Sequence, residues 1–181
     1  MKKIKLLIIA ALVMLTSLTV KAQEMSFEQM MPVRVLMPVN KDVKGDALTV
    51  LYNRLNQAVT LNGLGSSTNE SRFLIVSSVT VLSNEATASV PVQYMAEVEV
   101  AVYFVDNINK IILSQETITK KGLDSTDDNA VSKAIKQIQA RDPKLKKLIK
   151  IGKDRAIQYY QATEGNEEQA GDPDVSWIFE Q

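Results

Sequence analysis

Apolar and polar positions follow two different periods along this 181-residue chain, and each change of period marks a new element. Val33, Val35 and Met37 stand at every second place between Met31 and Pro38, which reads as a first strand closed by the proline. Asn40 to Gly45 is a polar turn. Leu48, Leu51, Leu55, Ala58 and Val59 then recur at helical spacing, predicting a helix over Ala47 to Leu61 with Asp46 as N-cap and Gly63 and Gly65 as its stop. Arg72 to Leu82 is rich in β-branched residues and predicts a second strand, with Phe73, Ile75, Val79 and Val81 on one side. Ser83 to Pro91 is small and polar and reads as a loop. In the third strand, Val92 to Val105, the series Ala96, Val98, Val100, Val102 and Phe104 alternates with Glu97, Glu99, Ala101, Tyr103 and Val105. One buried face and one mixed face follow from that alternation. Asp106-Asn107-Ile108-Asn109 is turn chemistry, and Lys110 to Lys121 returns as the hairpin partner until Gly122 stops it.

The period then becomes helical. Ser125 or Thr126 can cap a second helix with Asp127 and Asp128 in its first turn, where the helix dipole favours carboxylates. Its inner stripe is Ala130, Val131, Ala134, Ile135 and Ile138. Asp142-Pro143 restarts the chain as an N-cap followed by proline at the first helical position. The third helix should bury Leu145, Leu148, Ile149, Gly152, Ala156 and Tyr160. The order β-α-β-β-β-α-α predicts an α+β fold: a single mostly antiparallel sheet of about four strands packed by about three helices on one face. The row containing Glu97 and Glu99 then lies on the more exposed face.

Both ends of the chain depart from these periods. Lys2, Lys3 and Lys5 precede an apolar run from Ile4 to Val20, and Val20-Lys21-Ala22 resembles a cleavage site. The run is short and no stop-transfer pattern follows, so residues 1–22 read as a secretory signal peptide cleaved at about Ala22. A periplasmic or secreted protein is therefore expected. Residues 23–161, after a loose lead-in from Gln23 to Pro32, form a single α+β domain. Residues 162–181 turn acidic and polar, read as a disordered tail, and end in Trp177-Ile178-Phe179.

Charge and composition then narrow the function. Losing Lys2, Lys3, Lys5 and Lys21 with the leader leaves 17 basic against 21 acidic residues, a net charge of roughly −4. That balance provides no basic footprint, so nucleic acid is not an expected partner. Cysteine is absent, which removes disulfides, thiol nucleophiles and thiolate metal sites. A lipoprotein would carry cysteine directly after its leader, where Gln23 stands, so no stable membrane anchor is expected. Histidine is also absent, removing the commonest general base, the commonest zinc ligand and every imidazole-dependent triad. No cofactor and no metal is expected, and carboxylate or lysine chemistry is what remains to an enzyme.

The element order and the phrases that fill it resemble an exported bacterial superfamily. It includes the periplasmic domains of the curli-secretion component CsgG, the penicillin-binding-protein activator LpoB and the N-terminal domain of TolB. The residues that carry the resemblance are the helix Ala47 to Leu61 ending in its Gly turn, Arg72-Phe73-Leu74-Ile75-Val76, and the hairpin from Ala96 through Asp106 to Ile112-Leu113-Ser114. The helix with Ala130-Val131-Ser132-Lys133-Ala134-Ile135 matches in position and amphipathic spacing. The resemblance covers Val33 to about Ile138 and implies a non-enzymatic role in envelope assembly or in activation of a partner enzyme.

Several residue groups invite a sharper reading. Glu97 and Glu99 point the same way, roughly 7 Å apart, as a carboxylate pair or as a solvated row paired with Lys120 or Lys110 across the hairpin. Asp124, Thr126 and Asp128 have a calcium-loop spacing, but Asn129 and Ile135 occupy the glycine and glutamate places, so helix capping accounts for them. Gly63-Leu64-Gly65-Ser66-Ser67 precedes a strand rather than a helix and is no phosphate cradle. Asn69-Glu70-Ser71 fits a glycosylation triplet, a pattern common by chance. Lys146, Lys150 and Lys153 make a basic stripe on the third helix, able to meet an acidic partner or simply to be solvated. Trp177 and Phe179 lie in a segment with no core of its own and could anchor in a partner's groove, dock on the protein's own sheet or not dock at all. The leading expectation is an exported soluble non-enzymatic binding or adaptor protein whose partner is another envelope protein. The alternatives are a carboxylate-dependent enzyme acting on cell-wall or polysaccharide fragments, and a self-assembling subunit if an edge such as Val33 to Met37 is open.

Overall fold

The computed structural model describes residues 31–40, 43, 45–66, 71–162 and 175–179. The leader, the lead-in to Met30, Asn69-Glu70 of the glycosylation triplet and the acidic stretch 163–174 lie outside the described residues, as does the side chain of Tyr160. The elements are β1 (Pro32–Val35), α1 (Gly45–Leu61), β2 (Gly65–Ser66), β3 (Phe73–Ala86), β4 (Tyr94–Asp106), β5 (Ile111–Asp124), α2 (Asp127–Lys136) and α3 (Pro143–Ala162). A 3-10 turn at Ser176–Ile178 follows. The fold is α+β, with the expected element order. One sheet of order β2-β1-β3-β4-β5 carries three helices, its extra strand being the two-residue β2.

β3, β4 and β5 form an antiparallel meander, while β1 runs parallel to β3 and β2. That mixture is what a helical crossover from β1 to β3 produces, since parallel neighbours cannot be joined by a tight turn. The start of β1 is therefore no open edge: Pro32 and Val33 pair with Gly65 and Ser66 on one side, and Val33 to Val35 pair with β3 on the other, while the two-residue β2 does not extend along Arg34 to Met37. Val33 and Val35 are buried as the alternation requires, but Met37 is half exposed because the regular strand ends before it.

Three boundaries differ from the sequence reading, and between the two caps it offered for α2 the structure selects one. Asp46 lies inside the first turn of α1 rather than before it, where its carboxylate pairs with Lys136 of α2 at 2.7 Å. Ser83 to Ala86 continue β3 instead of looping, because the backbone ladder with Tyr94 to Glu97 persists past a bulge at Val81/Ser83. Small polar residues make poor strand formers, yet pairing with an adjacent strand overrides propensity. Thr126, not Ser125, caps α2, its hydroxyl accepting the Asn129 amide at 3.3 Å. Gly122 does not stop β5, which runs on to Asp124. A Cβ there would stand 2.0 Å from the Ala130 carbonyl oxygen and 2.6 Å from the Ala134 nitrogen, so glycine lets the α2 backbone rest on the strand.

The helices cover the face that carries Phe73, Ile75, Val98, Val100, Val102 and Phe104, all buried. α2 turns Ala130, Val131, Ala134 and Ile135 inward, with Ile138 buried just beyond it. Asp142 opens α3, its Oδ1 accepting the Lys144 amide at 2.9 Å. α3 then approaches closely at Gly152, where a Cβ would lie 2.6 Å from the Phe104 ring. The Ser114 hydroxyl donates to the Leu148 carbonyl at 2.7 Å in the same contact.

Candidate interaction surfaces

The opposite face of the sheet is apolar at one end and polar at the other. Strand register puts Leu74 beside Val105, Val76 beside Tyr103 and Ile112 beside Val105, building an apolar strip near the β4–β5 turn. Further along, Thr80, Glu99 and Thr119 share the same face, which is solvated there. Water cannot cover the apolar strip without cost, and the chain covers it with its own end. Leu74, Val76, Val105 and Ile178 are buried together, with Leu36, Tyr103, Ile112, Val175 and Trp177 packed around them. Phe179 meets Tyr103 edge-on, with ring centroids 6.2 Å apart and planes at 87°. Lys110 Nζ stands 6.0 Å above the Trp177 ring. The Trp177 indole nitrogen is buried and meets no acceptor among the described residues.

The turn beside this strip is organised by one carboxylate. Asp106 is fully buried, and its Oδ2 accepts from Arg72 Nε at 2.9 Å, Arg72 Nη2 at 2.7 Å and the Asn109 amide nitrogen at 2.9 Å. Its Oδ1 accepts the backbone amides of Ile108 at 3.0 Å and Asn109 at 3.2 Å. Burial alone would raise the carboxyl pKa, but the hydrogen bonds from Arg72 and Asn109 and the guanidinium charge hold it below 3.8. The tetrapeptide read as turn chemistry thus has a buried ion pair beneath it, which no local pattern displays.

The lysines of α3 divide by what they touch. Lys146 and Lys150 are exposed and belong to no ion pair among the described residues, whereas Lys153 is half-buried and does have a partner. Lys147 pairs with Glu116 at 2.5 Å. Lys144 Nζ donates to the Thr117 carbonyl at 2.6 Å and Arg155 to the Leu113 carbonyl at 2.6 Å. On α2 and just beyond it, Lys133 donates to the Leu123 carbonyl at 2.9 Å and Gln137 to that of Lys121 at 2.6 Å. All four acceptors lie on β5, the edge strand of the sheet. Long side chains thereby occupy backbone groups that another strand would otherwise use, a device against edge-to-edge association. A chain carrying Lys133→Ala, Lys144→Ala and Arg155→Ala is expected to associate as concentration rises. Light scattering across a dilution series measures it, and a monodisperse triple variant at every concentration would remove this role.

The remaining sequence candidates take structural duties. Glu97 pairs with Lys121 at 3.3 Å, its direct cross-strand neighbour, rather than with Lys120 or Lys110. Lys120 instead meets Asp142 at 3.4 Å, and Lys110 donates to Asn107 at 3.3 Å. The reason is register: Lys120 falls on the helix-covered side of β5, and Lys110 sits in the turn. Asp124 pairs with Lys133 at 3.6 Å and accepts the Ser125 amide. Ser71 donates to the Pro32 carbonyl at 2.5 Å.

One surface was invisible in the sequence. An open groove of about 770 Å³ runs between the C-terminal half of α1 and the α2–α3 connection, lined by Arg54, Gln57, Thr60, Leu61, Gln139 and Arg141 among others. Neither Arg54 nor Arg141 has a salt bridge among the described residues, and no carboxylate is among the residues described as lining the groove. The two arginines are 87 positions apart and occupy ordinary polar positions, so no motif joins them.

No protein-family model matches the sequence, and no curated protein matches it. Several solved bacterial structures overlap it in part. Protein XCC0632 of Xanthomonas campestris, described under family model DUF330, is 15% identical over 73% of this chain and 89% of that one, with a TM-score of 0.45. A minor lipoprotein of Acinetobacter baumannii is 12% identical over 71% and 94%, with a TM-score of 0.42. The PelC dodecamer of Paraburkholderia phytofirmans is 14% identical over 60% and 86%, with a TM-score of 0.39. Chains similar to this one therefore include bacterial lipoproteins, at a level of overlap that leaves its role to its own residues. Among the described residues no helix is long and apolar enough to cross a membrane.

Proposed function

We propose that this protein is an exported, non-enzymatic binding or adaptor protein that engages another envelope protein through the outer sheet face and the C-terminal segment closing it. The observation that carries this reading is the use of the chain's only tryptophan, with Ile178 and Phe179, to cover an apolar strip on the sheet instead of joining the helix-covered core. A strip of that kind is a ready groove, and its present occupant is short. Among the described residues the buried indole N–H meets no acceptor, which offsets about 1–3 kcal/mol of what the docked side chains gain by burial. A partner segment that supplies the missing acceptor can compete for the strip or draw the aromatic residues away. The exposed lysines Lys146 and Lys150, with Lys153 beside them, offer a second contact for an acidic surface. The finer assignment, to envelope assembly or partner activation in the manner of the CsgG, LpoB and TolB domains, belongs to the same proposal.

The test places a photo-crosslinking residue at Phe179, at Lys150 or at the remote Asn129 of the full-length protein in its native envelope. The expected result is one defined protein product from the Phe179 and Lys150 positions and none from Asn129. Its loss from Lys150 when residues 175–181 are deleted would tie both surfaces to one partner. Equal yields at all three positions would sink the reading. So would reproducible turnover of peptidoglycan or polysaccharide fragments that vanishes in a Glu97→Gln, Glu99→Gln protein.

A further inference from the structure

The groove between α1 and the α2–α3 connection is mostly apolar, but the charged side chains among its described lining residues are all of one sign. Arg54 and Arg141 bring two permanent positive charges to it, and no described lining residue answers them with a carboxylate. A guanidinium seeks a planar two-oxygen acceptor, and a carboxylate is the commonest such group in proteins. Gln57 Oε1 accepts from Arg54 Nη1 at 3.4 Å, and Gln139 Nε2 donates to the Lys136 and Gln137 carbonyls at 3.4 and 3.5 Å. The Gln57 amide N–H and the Gln139 amide oxygen are therefore what these side chains bring to a peptide backbone, and Leu61 and Ala140 add apolar surface. No aromatic side chain is among the described lining residues, so the groove lacks the flat platform on which a sugar ring stacks. At about 770 Å³ it exceeds what a single small anion fills.

We propose that this groove binds an acidic peptide segment belonging to another molecule. The proposal goes beyond the adaptor reading because it concerns a separate surface, and either can fail alone. The chain's own carboxylates Glu164, Glu167, Glu168, Asp172 and Asp174 carry the same charge as such a segment. Markedly tighter binding of an acidic peptide by a protein truncated after Ala162 would assign the groove to them instead and overturn the proposal.

The experiment uses the full-length protein and a fluorescein-labelled synthetic peptide of residues 163–174, which carries five carboxylates. A second peptide replaces each carboxylate by its amide. Fluorescence anisotropy is expected to show the acidic peptide binding about ten-fold or more tightly than the neutral one, a difference of about 1.4 kcal/mol. An Arg54→Gln, Arg141→Gln protein should lose that advantage, and a Lys146→Gln, Lys150→Gln protein should keep it. Equal binding of the two peptides would overturn the proposal. Unchanged binding by the arginine variant would do the same, as would an equal loss in the lysine variant, which would mark general electrostatic attraction. Binding of polygalacturonate that depends on Arg54 and Arg141, with no peptide binding, would reassign the groove to an acidic glycan. Cross-links at Phe179 that survive any of these failures would leave the adaptor reading standing.

Discussion

Gly122→Val is expected to reach or exceed the upper end of the ~1–3 kcal/mol usual for an overpacked core, a large share of a domain's total stability. The clash is with backbone rather than with a movable side-chain end: even a first carbon would sit 2.0 Å from the Ala130 oxygen and 2.6 Å from the Ala134 nitrogen. Relieving it means lifting α2 from the sheet, which uncovers Ala130, Ala134 and Ile135, all now buried. Gly122→Ala should already be strongly destabilised, with valine worse. Gly65→Ala is the control, since a Cβ there meets nothing within 4 Å. Urea unfolding followed by circular dichroism reads the difference. A Gly122→Ala midpoint matching that of Gly65→Ala would show that the helix does not rest on the strand as described.

Asp106→Ala is expected to cost about 3–5 kcal/mol, the range for removing one partner of a buried ion pair. The substitution takes away the acceptor shared by the Arg72 guanidinium, two backbone amides and the Asn109 side chain. It also loosens the turn on which Lys110 approaches Trp177, so C-terminal docking should weaken with it. The pH dependence has a definite sign. Because the folded carboxyl titrates below its ordinary 3.8, its contribution is fully present above that value and is lost as pH falls through the folded pKa. The wild-type protein should therefore lose stability in acid below about pH 4 more steeply than Asp106→Asn, which has no proton to take up there. Parallel acid titrations of the two, followed by tryptophan fluorescence, measure the effect. Coincident curves would remove Asp106 from the acid response.

The helix-covered half of the protein was legible because its faces obey fixed periods. Val98, Val100, Val102 and Phe104 alternate, and Leu145, Leu148 and Ile149 recur at helical spacing, so their burial follows from geometry local to each element. Thr126 and Asp142 were legible for the same reason, since a cap acts on amides two or three residues away. Edges and ends were less legible. Ser83 to Ala86 look like a loop to propensity, and only the neighbouring strand makes them part of a ladder.

The candidate surfaces divide along the same line. That Trp177 and Phe179 were unusual could be seen from their place after an acidic stretch, but where they dock depended on Leu74, Val105 and Ile112 meeting across three strands. The exposure of Lys146 and Lys150 followed from helical spacing, whereas the half-burial of Lys153 and the capping of β5 by Lys144 and Arg155 depended on how α3 lies on the edge strand. By itself, then, the sequence determined the elements, their buried faces and the chemistry lost with histidine and cysteine, all properties of residue type and of separations within a few positions. Tertiary structure alone decided the Arg72–Asp106 pair, the covering of the outer strip and the placing of Arg54 and Arg141 along one groove. Each joins residues dozens of positions apart, and their approach is set by how strands and helices pack rather than by any local period.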